Sequence, residues 1–183
     1  MENRIIDVGK ENNKLFNQQS FKFKHNLSTE SELQLGELKK LILRLPEEQV
    51  YASSSKVKIT ANLDNAHKDH GINMALETAM DEFETSDSFV MVRSPEVDNK
   101  LSKVFGEVKA EIDQFAKLLR TDITDSTLYL FLASPKSITP YHIDRYSTFL
   151  FQLQGEKNVS TWAPWNKNMI DDVELEKFFA KSH

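Results

Sequence analysis

Thr139-Pro140-Tyr141-His142-Ile143-Asp144 is the stretch on which the reading of this chain turns. Read as a strand, it sets His142 and Asp144 two residues apart and therefore on one face. There an imidazole and a carboxylate can reach a single metal ion, and they supply two of the three protein ligands of a facial non-haem iron triad. On its N-terminal side Leu128 to Ala133 reads as another strand, joined to it by Ser134-Pro135-Lys136-Ser137 as a turn. On its C-terminal side Thr148 to Leu153 and Val159 to Trp162 read as two more, joined through Gln154-Gly155-Glu156. Short strands linked by turns predict a sandwich or jelly roll. This is about half of the ~8 strands that a jelly roll needs. An open half-roll exposes sheet edges, so the unit is expected to continue past His183 or to be completed by another chain.

Upstream the texture is helical. Leu33, Leu35, Leu38, Leu41, Ile42 and Leu45 share one face of a predicted helix that Pro46 stops, with Ser28 or Ser31 as its N-cap. Phe21 to His25 alternates as a short strand, Val57 and Ile59 suggest another, and residues 62–71 read as a polar loop. Met74 to Phe83 predicts a short helix, and Ser88 to Arg93 a buried strand. The longest helix is predicted from Asp98 to Leu119, with an apolar stripe through Leu101, Val104, Phe105, Val108, Ile112, Phe115, Leu118 and Leu119. A last helix starts at Asp171, where Asp171 and Glu174 have the spacing of a capping box. The fold class is therefore α+β. Residues 1–125 form a helical N-terminal portion with a few strands, and residues 126–183 form an incomplete β-rich portion.

Bulk composition narrows the function. A length of 183 residues with 39% apolar content suits one globular domain. The net charge of −5 gives no footprint for nucleic acid or an anionic membrane surface. Without cysteine there are no disulfides, thiolate metal sites or cysteine nucleophiles. No apolar run approaches the ~20 residues of a membrane span, and the N-terminus lacks the apolar core of a signal peptide. A cytoplasmic protein is expected.

The metal pair sits in the longer pattern H-x-D-x(7)-Q-x-x-G-x-K, formed by His142, Asp144, Gln152, Gly155 and Lys157, with Thr139 three residues before the histidine. A lysine facing a half-buried barrel needs an anion beside it, and a carboxylate cosubstrate would supply one. Thr139 to Asp144, Phe149, Gln152 to Lys157 and Trp162-Ala163-Pro164 together resemble the cupin-like JmjC dioxygenases, on the branch of the asparaginyl hydroxylases and bacterial cupin-like proteins. Thr148 stands where that branch often has Asn.

The resemblance implies a double-stranded β-helix (a jelly roll or cupin barrel) of which residues 126–183 are the N-terminal part. It also implies an Fe(II)- and 2-oxoglutarate-dependent oxygenase, most often a hydroxylase. His142 and Asp144 would be iron ligands. Lys157 would pair with the distal carboxylate of 2-oxoglutarate and Thr139 would hydrogen-bond it. The substrate would be a small molecule or a protein side chain, and many family members are homodimers. The family's third ligand is a histidine on a later strand; His183 is the one candidate for it here, and it follows a predicted helix. Two other readings stay open: a non-catalytic cupin-like binding or regulatory protein, and a plain β-sandwich with a chance H-x-D. His67, His70 and nearby Asp64 read as a solvated loop with the spacing of a surface metal site, and His25 as a structural histidine.

Overall fold

A computed structural model of the chain describes residues 5–63, 65–163 and 165–180. In chain order the elements are β1 (Ile6–Asp7), β2 (Lys24–His25), α1 (Leu35–Arg44), β3 (Val50–Ser54), α2 (Ala66–Asp69), α3 (Leu76–Asp81), β4 (Ser88–Arg93), α4 (Asn99–Leu118), β5 (Tyr129–Ala133) and α5 (Asp172–Ala180). Helices and small antiparallel sheets make the fold α+β. The chain divides into two compact units, one of Thr29–Ile143 and one of Met1–Ser28 with Asp144–His183. Among the described residues no helix is long and apolar enough to cross a membrane.

The larger unit is built on a three-stranded antiparallel sheet in the order β3-β4-β5. Its central strand carries the apolar run Phe89-Val90-Met91-Val92, and Val90 pairs with Ala52 on one side and Leu132 on the other. Val90, Val92 and Leu132 are buried, and each such side chain stabilises the fold by about 1.5–3 kcal/mol relative to exposure. Helix α1 buries Leu38, Leu41 and Ile42, the i, i+3, i+4 face that the spacing predicted. It stops at Leu45, whose extended conformation is what a following proline demands. Its start differs from expectation. The residue before the helix is Gln34, with no side-chain cap, and Ser31 instead donates to Glu32 Oε2 at 2.8 Å.

Helix α4 buries Leu101, Val108, Phe115 and Ala116, whereas Leu118, read as part of the stripe, is exposed. Asp98 caps it, accepting from the Lys100 and Leu101 amides at 3.1 and 3.4 Å. Arg44 at the end of α1 donates to the same carboxylate at 2.6 Å. The guanidinium bond and the two amide bonds hold the Asp98 pKa below the usual aspartate value.

In the smaller unit β1 pairs with β2, Ile6 opposite His25 and Asp7 opposite Lys24. Ile5, Ile6 and Val8 are buried, so the largely polar N-terminal stretch contributes a strand at Ile6–Asp7. Phe23 meets Phe149 and Phe151 edge-on, at 6.0 and 5.2 Å between ring centroids. The His25 ring contacts Phe151 at 5.4 Å. Its Nε2 bonds the Gln152 carbonyl at 3.1 Å, and its Nδ1 accepts from the Leu27 amide at 3.2 Å. A carbonyl only accepts, so Nε2 is the donor in this arrangement. Asp171 caps α5 by accepting from the Glu174 amide at 2.9 Å, as the spacing of these two residues predicted.

Strand formation in the C-terminal portion departs from expectation. Among the described residues after 125, only β5 joins a ladder. Thr139 to Asp144, Thr148 to Leu153 and Val159 to Trp162 run without ladder partners among the described residues. Alternation sets which face a side chain lies on, but a strand also needs a neighbour for its amides. Leu150, Val159 and Trp162 are accordingly exposed at 51%, 56% and 49%.

Candidate functional site

The motif is approached from the core. Ser134 directly follows β5 and is 2% exposed. Its amide donates to the Ser88 carbonyl at 2.9 Å. Its hydroxyl accepts from the Ser88 amide at 3.0 Å and donates to the Phe83 carbonyl at 2.5 Å. The predicted turn follows, closed by the Ser137 amide donating to the Ser134 carbonyl at 3.2 Å, with Lys136 at φ +65°. The chain then runs along residues 55–59. The Ile138 amide donates to the Ser55 carbonyl at 3.1 Å and the Tyr141 amide to the Ile59 carbonyl at 2.8 Å. Pro140 is buried between these bonds and Thr139 half-buried. The motif is thus pinned by irregular backbone bonds and not by a sheet.

His142 is exposed, and its Nδ1 lies 2.8 Å from the Pro140 carbonyl oxygen. That oxygen can only accept, so Nδ1 carries a proton and Nε2 is the ring nitrogen with the lone pair in the neutral tautomer. A backbone carbonyl on one ring nitrogen is the support that metal-binding histidines usually have, since it fixes the tautomer and the ring orientation. Asp144 is exposed and belongs to the smaller unit, while Thr139 and His142 belong to the larger. Gln152 donates its side-chain amide to the Gln154 carbonyl at 2.7 Å, and Gly155 takes φ +70°, which glycine adopts without strain. Lys157 is exposed by surface area, yet enough protein surrounds its stem that desolvation lowers its ammonium pKa.

An imidazole nitrogen and a carboxylate oxygen, the donor types at His142 and Asp144, are among those that bind iron. Among the described residues no group of three His, Cys, Asp or Glu side chains is arranged to hold a metal. His183 and Asp64 lie outside the described residues, as does Pro164 of the resemblance block. His67 instead packs edge-on against Tyr51 at 4.9 Å. An open depression lined by Glu30, Glu32, Lys100, Lys103 and Glu107 lies elsewhere in the larger unit, and its mixed charges read as solvated surface.

Sequence reasoning missed Ser134 as an anchor and Arg145 as a structural cation. The Arg145 guanidinium stacks on the Phe178 ring, and only its place directly after Asp144 marks it in the sequence. Compared with protein-family models, curated proteins and solved structures, the chain matches none. The resemblance to the JmjC dioxygenases therefore stands on its quoted residues.

Proposed function

We propose that this chain is part of an Fe(II)- and 2-oxoglutarate-dependent oxygenase of the cupin-like JmjC type, acting as a hydroxylase in the cytoplasm. In this reading residues 126–183 contribute the first part of a double-stranded β-helix. The observation that carries the proposal is the His142 Nδ1 bond to the Pro140 carbonyl, which presents Nε2 as a ligand nitrogen. Asp144, two residues on, is the second ligand, and the third is the histidine that the resemblance places on a later strand. Fe(II) with 2-oxoglutarate supplies oxidation by O2 coupled to oxidative decarboxylation.

The chain's own groups do the rest. Lys157, whose charged form desolvation disfavours, pairs with the distal carboxylate of the cosubstrate. Thr139 donates its hydroxyl to the same carboxylate. The substrate is a small molecule or a protein side chain.

The test is succinate release by the native protein supplied with Fe(II), 2-oxoglutarate and O2. His142→Ala and Asp144→Ala are each expected to abolish iron-dependent turnover of 2-oxoglutarate. Turnover retained in either variant sinks the metal assignment. The alternative of a cupin-like binding protein without turnover predicts 2-oxoglutarate binding that survives both substitutions with no succinate formed.

A further inference from the structure

The two outer edges of the sheet in the larger unit differ. At β3 the Ser54 amide donates to the His70 carbonyl at 2.7 Å and Ser53 bridges Gly71, so that edge is partly closed. The β5 edge is open. The Ser134 amide donates to the Ser88 carbonyl at 2.9 Å and the Ser94 amide to the Leu128 carbonyl at 3.0 Å. Bonded and non-bonded pairs alternate in an antiparallel ladder. Leu128, Leu130, Leu132 and Ser134 therefore turn their backbone groups toward β4, and Tyr129, Phe131 and Ala133 turn theirs outward. Those outward amides and carbonyls have no backbone partner among the described residues. The same three residues are exposed, Tyr129 at 43% and Phe131 at 44%. The two rings stack with their planes 14° apart, and Phe131 also meets Phe89 at 5.9 Å. Sheet edges are commonly blunted by charge, proline or a bulge. Tyr129-Leu130-Phe131-Leu132-Ala133 holds no charge and no proline.

We propose that the β5 edge is a self-association site, filled by β5 of a second copy in antiparallel pairing about a twofold axis at Phe131. The open backbone groups are disposed symmetrically about that residue. Phe131 meets its counterpart and Tyr129 meets Ala133 in both directions, each pair exchanging both N–H···O bonds. Any extended chain can bond such an edge, and two features select a copy. Two Phe131 rings face each other across the axis, an aromatic cross-strand pair of the kind that stabilises sheets. Continued past the strand ends, the same register brings Asp125 of each copy beside Lys136 of the other, opposite charges that are both exposed. The contact is isologous and uses up both edges, so assembly stops at the dimer. A strand of 5 residues makes a small contact, in the weak class below ~1,200 Å².

The test is the weight-average mass of the 183-residue chain by sedimentation equilibrium, from about 1 µM to about 1 mM. Far-UV circular dichroism confirms the fold of each variant. The mass is expected to rise from that of one chain toward twice that value. Phe131→Lys sets like charges face to face at the axis. Ala133→Pro removes an outward donor and leaves the bonds to β4 in place. Each is expected to weaken the dimer by about 10- to 100-fold. The chain has no cysteine, so Phe131→Cys gives a second reading: Cα atoms of a bonded pair lie ~5.5 Å apart, within disulfide reach. Air oxidation is expected to yield a covalent dimer, and Tyr146→Cys, at an 84% exposed position, to crosslink far more slowly. A wild-type mass of one chain across the whole range overturns the proposal and leaves the edge to a strand of a different polypeptide. A dimer that folded Phe131→Lys and Ala133→Pro leave unweakened overturns it too, since the contact then lies elsewhere. If those two variants fail to fold, crosslinking of Phe131→Cys no faster than that of Tyr146→Cys has the same force. Growth beyond the dimer overturns the twofold arrangement.

Discussion

Ser134→Ala is the substitution whose effect follows most directly from the geometry. It deletes one oxygen that accepts from the Ser88 amide at 3.0 Å and donates to the Phe83 carbonyl at 2.5 Å. Both Ser88 and Ser134 are buried, at 0% and 2% exposure, so water does not replace that oxygen. Each lost bond removes about 1 kcal/mol, and a buried donor left without a partner adds a further ~1–3 kcal/mol. The Phe83 carbonyl keeps a long contact from the Ser86 hydroxyl at 3.4 Å and bears less of that penalty. The expected destabilisation is therefore about 3–5 kcal/mol, a large share of the ~5–15 kcal/mol that holds a typical domain. It is to be measured as the loss in urea unfolding free energy at pH 7 by far-UV circular dichroism, beside exposed Ser126→Ala as a control within about 0.5 kcal/mol of wild type. A loss under about 1 kcal/mol for Ser134→Ala would refute the claim that this hydroxyl anchors the approach to the motif.

Two further outcomes are expected. Lys157→Ala should raise the 2-oxoglutarate requirement of the native protein by about 10- to 100-fold, the worth of a charge-assisted hydrogen bond of ~1.5–3 kcal/mol, and leave the iron requirement unchanged; steady-state titration of each in turn checks this, and unmoved 2-oxoglutarate dependence removes Lys157 from the site. The folded pKa of Asp98 is held low by Arg44 and two amides, so its contribution is fully present above the unfolded carboxylate value near 4 and is lost as pH falls through the lower folded value. Urea midpoints at pH 6 and pH 3 should accordingly differ less in Asp98→Asn than in wild type, and an equal difference would show that the Arg44 pair and the cap contribute nothing.

What the sequence disclosed depended on whether a signal was local. The faces of α1 and α4, the apolar run of β4 and the Asp171 cap of α5 are periodic or short-range features, and they were legible in Leu38, Leu41, Ile42, Val90, Val92 and Glu174. The path of residues 139–162 was not, because alternation cannot say whether a neighbouring strand exists. Ile5, Ile6 and Val8 looked like isolated apolar residues in a polar stretch, since their partner strand lies some twenty residues on. Of the candidate site, His142, Asp144 and Lys157 were picked out by their spacing. The Pro140 carbonyl that fixes the His142 tautomer was not, because proline reads as a backbone constraint and its acceptor leaves no mark on composition. Arg145 carried no signal of its role, as its partner sits 33 positions away.

The two ends of the chain share one unit, and this has a consequence for how the molecule is made. Phe23 and His25 must wait for Phe149, Phe151 and Gln152, and Ser20 for Thr161. A ribosome adding ~5–20 residues per second completes Thr29–Ile143 before those contacts exist. The larger unit can therefore condense while residues 5–28 still await Phe149, Phe151, Gln152 and Thr161, and the smaller unit closes after it. Thermodynamically the long intervening segment matters little, because doubling a loop costs only ~0.6 kcal/mol. Kinetically it matters more, since contacts this distant in sequence slow folding. During that interval Phe21 and Phe23 are open to chaperones, and a synonymous change that slows decoding between residues 126 and 161 would lengthen it without altering the finished protein.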